Sequence, residues 1–211
     1  VIYVSSAAGC VGIIRGGAPS NESTPFQEFN YKNPYFKSKL MAEEAISNFL
    51  KSHRLSVVLI LPGGMIGPQD AAPTEMGRFI LNSLRGNVSL VHSGGFPIVD
   101  ARDVAQAMIS AVYSGQPSER YLVTGGYYSV AEIMRNLAEA SGRPVPRQRL
   151  PRFAVRLWAA IQNLIGRING KKPYLPADMV RVMLSRQWFD STKASQGLKT
   201  SYRPLQETIQ D

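Results

Sequence analysis

A tyrosine and a lysine stand four positions apart in the stretch Asn33-Pro34-Tyr35-Phe36-Lys37-Ser38-Lys39. The proline favours the first position of a helix, and residues four apart on a helix share one face, with about 5–6 Å between Cβ atoms. An ammonium about 5 Å from a phenol favours the phenolate by roughly 3 kcal/mol at an effective dielectric of about 20. The pair therefore predicts a general acid/base that works near neutral pH. Taken alone, this spacing is more typical of the surface of an amphipathic helix.

Two other segments place polar or small residues at the ends of predicted strands. The β-prone run Val1-Ile2-Tyr3-Val4 leads to Ser6, and the apolar run from Leu55 to Leu61 ends at Pro62-Gly63-Gly64. Open parallel sheets bind ligands at the carboxyl ends of their strands. Ser6 could hydrogen-bond the substrate oxygen that Tyr35 protonates, and the glycines would let the backbone approach a flat ligand ring. The plainer interpretations are a serine that caps a loop and a Pro-Gly-Gly turn.

The order of elements predicts an α/β fold. A helix from Pro34 to about Lys51 lies between the two apolar strands, which makes a right-handed crossover in a parallel sheet. Further helices are predicted from Thr74 to Leu84, from an Asp103 cap through Val112, from the Ser129–Glu132 capping box to about Ala140, after Asp190, and from Pro204 to Gln210. Further strands are predicted at Val88 to Val91, Pro97 to Val99 and Arg120 to Thr124.

Composition bounds the class of protein. The chain has 211 residues, 44% of them hydrophobic, which is enough for one sizeable core. The single cysteine, Cys10, cannot form an internal disulfide, so a reducing compartment is expected. No apolar run reaches the roughly 20 residues that span a bilayer, and no signal peptide is visible. A buried strand at residue 1 needs partners on both edges, so we expect the natural protein to begin further upstream.

Charge is uneven along the chain. Residues 143–211 contain 13 Lys or Arg and 4 Asp or Glu, and they hold the whole formal net charge of +9. Within them an apolar helical stripe comprises Phe153, Leu157, Ile161, Leu164, Ile165 and Ile168, widened by Val155 and Trp158. Three interpretations are open for this stripe. It could pack on the domain, line a substrate pocket, or lie at a membrane interface backed by Lys171, Lys172 and Arg181.

The motifs, in order, resemble those of the extended short-chain dehydrogenase/reductase family, of the NAD-dependent epimerase/dehydratase type. The matching blocks are Val4-Ser5-Ser6-Ala7, Asn33 to Glu43, Pro62 to Pro68, Val99 to Ala105, Asp190 to Ala194 and Tyr202 to Leu205. The resemblance implies the C-terminal part of a Rossmann-type doubly wound parallel sheet with a small, mostly helical substrate lobe. Residues 1–142 would hold the Rossmann part with interleaved lobe segments, and residues 143–211 the basic lobe.

The resemblance also implies site residues and a cofactor, NAD or NADP. Ser6 would polarise the substrate oxygen and Tyr35 would be the general acid/base. Lys39 would favour the tyrosinate and bind the nicotinamide ribose, while the backbone from Pro62 through Gly63 and Gly64 to Met65 would hold the carboxamide. No metal is expected. The family's Gly-rich dinucleotide fingerprint is absent from these residues, which agrees with an N-terminally truncated chain.

The branch of the family is judged from two apolar segments. Sugar-nucleotide epimerases typically carry polar residues where this chain has Leu59-Ile60-Leu61 and Gly95-Phe96-Pro97. The chain therefore looks more like the dihydroflavonol-reductase and 3β-hydroxysteroid-dehydrogenase-like branch. That predicts an oxidoreductase interconverting an alcohol and a ketone on a small apolar substrate. The alternatives are a nucleotide-sugar epimerase/dehydratase and a non-catalytic nucleotide-sensing or membrane-associated scaffold.

Partners follow from the same interpretation. We expect a small-molecule substrate and no nucleic acid, with weak association with an anionic membrane surface through the basic region. Dimerisation through the Tyr35 helix is common in the resembling family, so a homodimer is a further expectation. The expected location is the cytoplasm, at most peripheral to a membrane.

Overall fold

The computed structural model describes residues 1–14, 18–26, 33–86, 90–92, 94–143, 148–170, 180 and 183–211. The strands are β1 (Ile2–Val4), β2 (Val58–Pro62), β3 (Gly64–Ile66), β4 (Leu90–His92), β5 (Gly95–Asp100), β6 (Arg120–Val123), β7 (Gly126–Ser129) and β8 (Gln148–Leu150). The helices are α1 (Ala7–Cys10), α2 (Pro34–Leu50), α3 (Glu75–Leu84), α4 (Ala101–Ser114), α5 (Val130–Ser141), α6 (Arg152–Asn169), α7 (Thr192–Gly197) and α8 (Leu205–Gln210).

The first sheet is parallel, in the order β1-β2-β6, with Val4 opposite Ile60 and Ile60 opposite Tyr121. Alternate residues of β2 face opposite sides, so Val58 and Ile60 pack with α4 and α7, while Leu59 and Leu61 pack with α1 and α2. Burial on both faces explains why β2 is apolar at every position. This confirms the predicted α/β class with a parallel sheet.

A second sheet is formed by three strands that follow β2 in the sequence. Its order is β3-β5-β7, with β3 and β5 parallel and β5 and β7 antiparallel. Ile66 and Ile98 from this sheet, Ile133 from α5 and Leu205 from α8 lie in one apolar cluster. Strands β4 and β8 form a separate parallel pair. Leu205, from the predicted C-terminal lobe, therefore packs with residues of the predicted Rossmann part. The domain boundary after residue 142 stays a prediction.

Two predicted element starts need correction. Asp100, not Asp103, caps α4, because its side chain accepts a hydrogen bond from the Arg102 amide at 2.7 Å. The Asp103 carboxylate instead accepts hydrogen bonds from the amide and guanidinium of Arg203. The second correction concerns the interpretation of Ser6 as the cap of a loop, because its side chain caps the one-turn helix α1.

The predicted stripe helix exists, and its packing face differs from the stripe. Val155 and Ala159 of α6 lie in a buried cluster with Val180 and Leu184. The six residues of the predicted stripe are exposed, whereas Val155, predicted to widen it, is buried. Four residues of these predictions lie outside the described residues: Lys171, Lys172, Arg181, and Val88 of the strand predicted at Val88 to Val91. Among the helices that the structure describes, none is long and apolar enough to cross a bilayer.

Candidate active site

The start of α2 presents Tyr35 to solvent. The Asn33 side chain accepts hydrogen bonds from the amides of Tyr35 at 2.9 Å and Phe36 at 3.2 Å, and Pro34 occupies the first turn. These two features fix where the helix begins. Phe36 is buried against α1, while Tyr35 is 55% exposed. The phenol is therefore accessible to a small molecule.

Lys39 lies between α2 and the end of β1. Its Nζ donates a hydrogen bond to the Val4 carbonyl oxygen at 3.1 Å. The same Nζ lies 6.0 Å from the centroid of the Tyr35 ring. Because an ammonium has three donors, the Val4 bond leaves two others for a ligand. The predicted Tyr/Lys pair is thus formed, with the ammonium held by the strand.

Ser6 lies where β1 ends and α1 begins. It is 7% exposed, and its Oγ accepts a hydrogen bond from the Gly9 amide at 3.3 Å. A Cβ added at Gly9 would lie 3.4 Å from both the Ser6 Cβ and the Phe36 Cα, so α1 brings Ser6 close to the first turn of α2. The cap uses the oxygen as acceptor, so the hydroxyl proton stays available to a substrate. Ser6 is both a cap and a candidate site residue.

Sequence reasoning missed a second tyrosine near Lys39. The Nζ of Lys39 lies 5.8 Å from the Tyr3 ring centroid. Burial raises the pKa of Tyr3, and the nearby acidic groups of Cys10, Glu43 and Tyr35 raise it further. Tyr3 therefore stays protonated near neutral pH and is a poor base. Its place inside an apolar strand gave no signal of this contact.

The Pro62-Gly63-Gly64 segment has a packing reason for its small residues. A Cβ at Gly63 would lie 2.9 Å from the Pro97 carbonyl oxygen, and one at Gly64 would lie 3.2 Å from the same atom. Side chains at these two positions would therefore push β5 away. Met65, the next residue, is 44% exposed. The glycines accommodate β5, and their predicted contact with a cofactor stays a prediction.

A half-buried ion pair lies one turn beyond Lys39 on α2. Glu43 Oε2 lies 3.1 Å from Arg120 Nε of β6, and their side chains are 11% and 26% exposed. The Arg120 guanidinium also donates to the carbonyl oxygens of Glu22 at 2.8 Å and Cys10 at 2.7 Å. The ion pair therefore links α2, the helix that carries Tyr35 and Lys39, to strand β6. Sequence reasoning assigned no role to this pair.

Cys10 lies beside this pair and is buried. Its Sγ lies 3.3 Å from the Ser5 hydroxyl. Burial, together with the negative charge of Glu43, raises the pKa of the Cys10 thiol to about 12. Cys10 is therefore a packed thiol and not a nucleophile.

A parallel sheet covered on both faces, with Tyr35, Lys39 and Ser6 at one strand end, defines a Rossmann-type α/β protein. The chain belongs to the NAD dependent epimerase/dehydratase family, whose model matches residues 1–124. This confirms the family resemblance carried by the motifs.

Two curated relatives match most or all of the chain. A putative dihydroflavonol 4-reductase of Synechocystis sp. is 26% identical over 214 residues, which cover 100% of this chain and 62% of the relative. Sterol demethylase protein B of Methylococcus capsulatus is 30% identical over 201 residues, which cover 94% of this chain and 60% of the relative. The chain thus spans about three-fifths of the length of these relatives.

Solved structures share the fold. A nucleoside-diphosphate-sugar epimerase from Pseudomonas aeruginosa aligns with a TM-score of 0.75 and 25% identity, over 99% of this chain and 63% of its own. RMD from the same organism, a complex with NADPH, aligns with a TM-score of 0.67 and 16% identity, over 99% of this chain and 63% of its own. These likenesses support the Rossmann-type fold.

Proposed function

We propose that this chain carries the catalytic residues of an NAD(P)-dependent oxidoreductase that interconverts an alcohol and a ketone on a small apolar substrate. The observation that carries the proposal is the Lys39 ammonium, bonded to the Val4 carbonyl and 6.0 Å from the exposed Tyr35 ring. The ammonium therefore lies beside an accessible phenol while two of its donors stay available to a ligand. Ser6, the third member of the set, lies at the same strand end.

The donor set fits a nicotinamide nucleotide. Lys39 would hold the ribose hydroxyls with the two donors that Val4 does not use. The backbone from Pro62 to Met65 lies at the carboxyl end of β2, where it could hold the carboxamide. A bound nicotinamide supplies hydride donor or acceptor chemistry. The NAD dependence of the family supports this assignment.

The protein residues would then handle the proton. In the reductive direction, Tyr35 Oη would give its proton to the substrate oxygen as the carbonyl becomes an alcohol. In the oxidative direction the tyrosinate would take that proton back. The Ser6 hydroxyl would donate a hydrogen bond to the same oxygen and stabilise the negative charge that develops on it. Tyr3 is the weaker candidate, because burial and nearby acidic groups raise its pKa and disfavour its tyrosinate.

The substrate class is inferred from the relatives. Two of the curated relatives are named for a dihydroflavonol and a sterol, neither of which is a sugar nucleotide. The apolar residues Leu59-Ile60-Leu61 support this class less than their sequence suggests. Their exposures are 6%, 0% and 0%, so the sheet core already requires apolar side chains there.

The alternative function is that of a sugar-nucleotide epimerase. The structural likeness to the Pseudomonas aeruginosa epimerase supports this alternative. Cofactor balance separates the two reactions, because a reductase consumes one reduced cofactor for each product and an epimerase has no net consumption. The test incubates the whole natural protein with NADH or NADPH deuterated at C4 and a panel of apolar ketones and sugar nucleotides. Deuterium at the carbinol carbon of an apolar alcohol, with equal cofactor oxidation, is expected. Turnover of sugar nucleotides alone, without net oxidation, would contradict the proposal.

A further inference from the structure

One face of α6 is apolar and exposed. The exposed fractions of its side chains are Phe153 72%, Leu157 60%, Ile161 46%, Leu164 60%, Ile165 45% and Ile168 75%. At about 100° per residue, five of the six fall within an arc of roughly 80°, and Ile165 widens it to roughly 120°. The stripe is about 22 Å long. A contiguous exposed apolar surface of this kind marks an interaction site.

The packed face of α6 lies on the other side of the helix. Val155 and Ala159, which pack with Val180 and Leu184, are roughly 160° around the axis from the middle of the stripe. Arg152 adds a hydrogen bond to the Leu184 carbonyl oxygen at 2.5 Å. The helix is therefore held through one face while the stripe points away from its support. The stripe is not needed for the packing that the described residues show.

The charge on this region indicates the partner. The 18 residues of α6 include three arginines and no acidic residue. Arg156 is exposed beside the stripe, and residues 143–211 hold 13 basic and 4 acidic side chains. A second copy of this surface would bring like charges together, which opposes association. An anionic bilayer matches both features, since acyl chains accept the stripe and phosphate headgroups pair with arginine.

We propose that α6 is an interfacial helix that docks the protein on anionic membranes. The helix lies parallel to the bilayer plane, with Phe153, Leu157, Leu164 and Ile168 in the acyl boundary and Arg156 at the phosphates. This docking is independent of the proposed catalytic function, because Ser6, Tyr35 and Lys39 all lie outside α6. A bilayer-docked enzyme could draw an apolar substrate from the membrane.

Vesicle co-sedimentation tests the proposal with the purified protein. The vesicles are phosphatidylcholine alone, or phosphatidylcholine with about one-third phosphatidylglycerol, at low salt and at about 0.5 M NaCl. We expect binding to the anionic vesicles that falls at least about fivefold at high salt. Leu157→Gln/Leu164→Gln/Ile168→Gln should lower the partition coefficient at least about tenfold. Arg156→Gln should lower it about fivefold at low salt and leave any binding to neutral vesicles unchanged.

Exposed apolar residues of α4 provide the matched control. Ile109 and Val112 are 55% and 66% exposed, so Ile109→Gln/Val112→Gln makes a comparable surface change away from α6. Circular dichroism establishes that every variant is folded. The proposal is wrong if the α4 variant loses as much binding as the α6 variant, or if no binding occurs at low salt. A concentration-dependent dimer that the α6 substitutions abolish, without vesicle binding, would assign the stripe to a second copy instead.

Discussion

The Nζ of Lys39 donates a hydrogen bond to the carbonyl oxygen of Val4 at 3.1 Å, which joins the second turn of α2 to the last residue of β1. Ser6 follows Val4 by two residues, and Tyr35 precedes Lys39 by one helical turn. This bond, together with the packing of α1 on the first turn of α2, therefore positions the three candidate catalytic side chains. It also holds the ammonium 6.0 Å from the centroid of the Tyr35 ring.

Replacing Lys39 should impair both cofactor binding and turnover. Lys39→Met removes the donor to Val4, the donors for a ribose and the charge beside Tyr35. We expect kcat/KM to fall at least about 100-fold and the nucleotide Kd to rise about tenfold. Lys37→Met is the matched control, because Lys37 is exposed on the same helix, and it should change both values less than about twofold. Equal effects of the two substitutions would refute a specific role for Lys39.

The half-buried pair of Glu43 and Arg120 should be strongly coupled. Removing either partner leaves a poorly solvated charge, so Glu43→Gln and Arg120→Met should each destabilise the fold by about 2–4 kcal/mol. A double-mutant cycle by urea denaturation should give a coupling free energy of about 1–2 kcal/mol. The exposed pair of Lys193 and Glu119, 2.5 Å apart, is the control and should couple by less than about 1 kcal/mol. Similar coupling in the two pairs would show that the Glu43 contact is an ordinary surface pair.

The Cys10 thiol should resist alkylation in the folded protein. Burial raises its pKa to about 12, so very little thiolate is present at pH 8. Iodoacetamide should label the native protein at least about 100-fold more slowly than the protein in urea, where an ordinary pKa of about 8.5 applies. Mass spectrometry of quenched samples measures both rates. Labelling of the native protein at the unfolded rate would contradict the burial of Cys10.

Asp100 should stabilise the fold except in strong acid. Although its burial opposes ionisation, hydrogen bonds from the amide and guanidinium of Arg102 lower the pKa of Asp100 to about 2. Because the folded-state pKa lies below the unfolded value of about 3.9, the stabilisation is complete above about pH 4 and is lost as the pH falls towards 2. Asp100→Asn should therefore lower the free energy of unfolding by about 2 kcal/mol at pH 7 and by much less at pH 2.

A second carboxylate provides the comparison for Asp100. Glu44 is exposed on α2, and Glu44→Gln should change the free energy of unfolding by less than about 0.5 kcal/mol at either pH. Chemical denaturation between pH 2 and pH 7 measures both variants. A destabilisation by Asp100→Asn that does not depend on pH would mean that shape, and not charge, matters at this position.

Local patterns predicted a large part of the fold and the site. The start of α2 follows from Asn33 and Pro34, and the capping box of α5 is confirmed by bonds between Ser129 and Glu132 of 2.7 Å and 3.2 Å. The Tyr35/Lys39 spacing needs only a helix. Each of these features depends on residues within four positions of one another, so the chain carries their signal locally.

Contacts between distant residues could not be predicted. By residue type, Asp100 and Asp103 are equally good helix caps. Asp103 instead accepts a hydrogen bond from the amide of Arg203, which lies 100 residues away in the sequence. The Glu43 pair joins residues 77 positions apart. Short strands such as β3 and β7 also lack a periodic pattern, because pairing with β5 creates them.

The measurement that tests the central claim most directly is turnover by Tyr35→Phe in the whole natural protein. The substitution removes one hydroxyl from an exposed side chain, so folding should be unchanged. We expect kcat to fall at least about 1,000-fold while NAD(P)H still binds within about threefold of the unaltered protein. Tyr113→Phe, on the 84% exposed Tyr113 of α4, should keep full activity. Unchanged turnover by Tyr35→Phe would contradict the assignment of Tyr35 as the general acid/base.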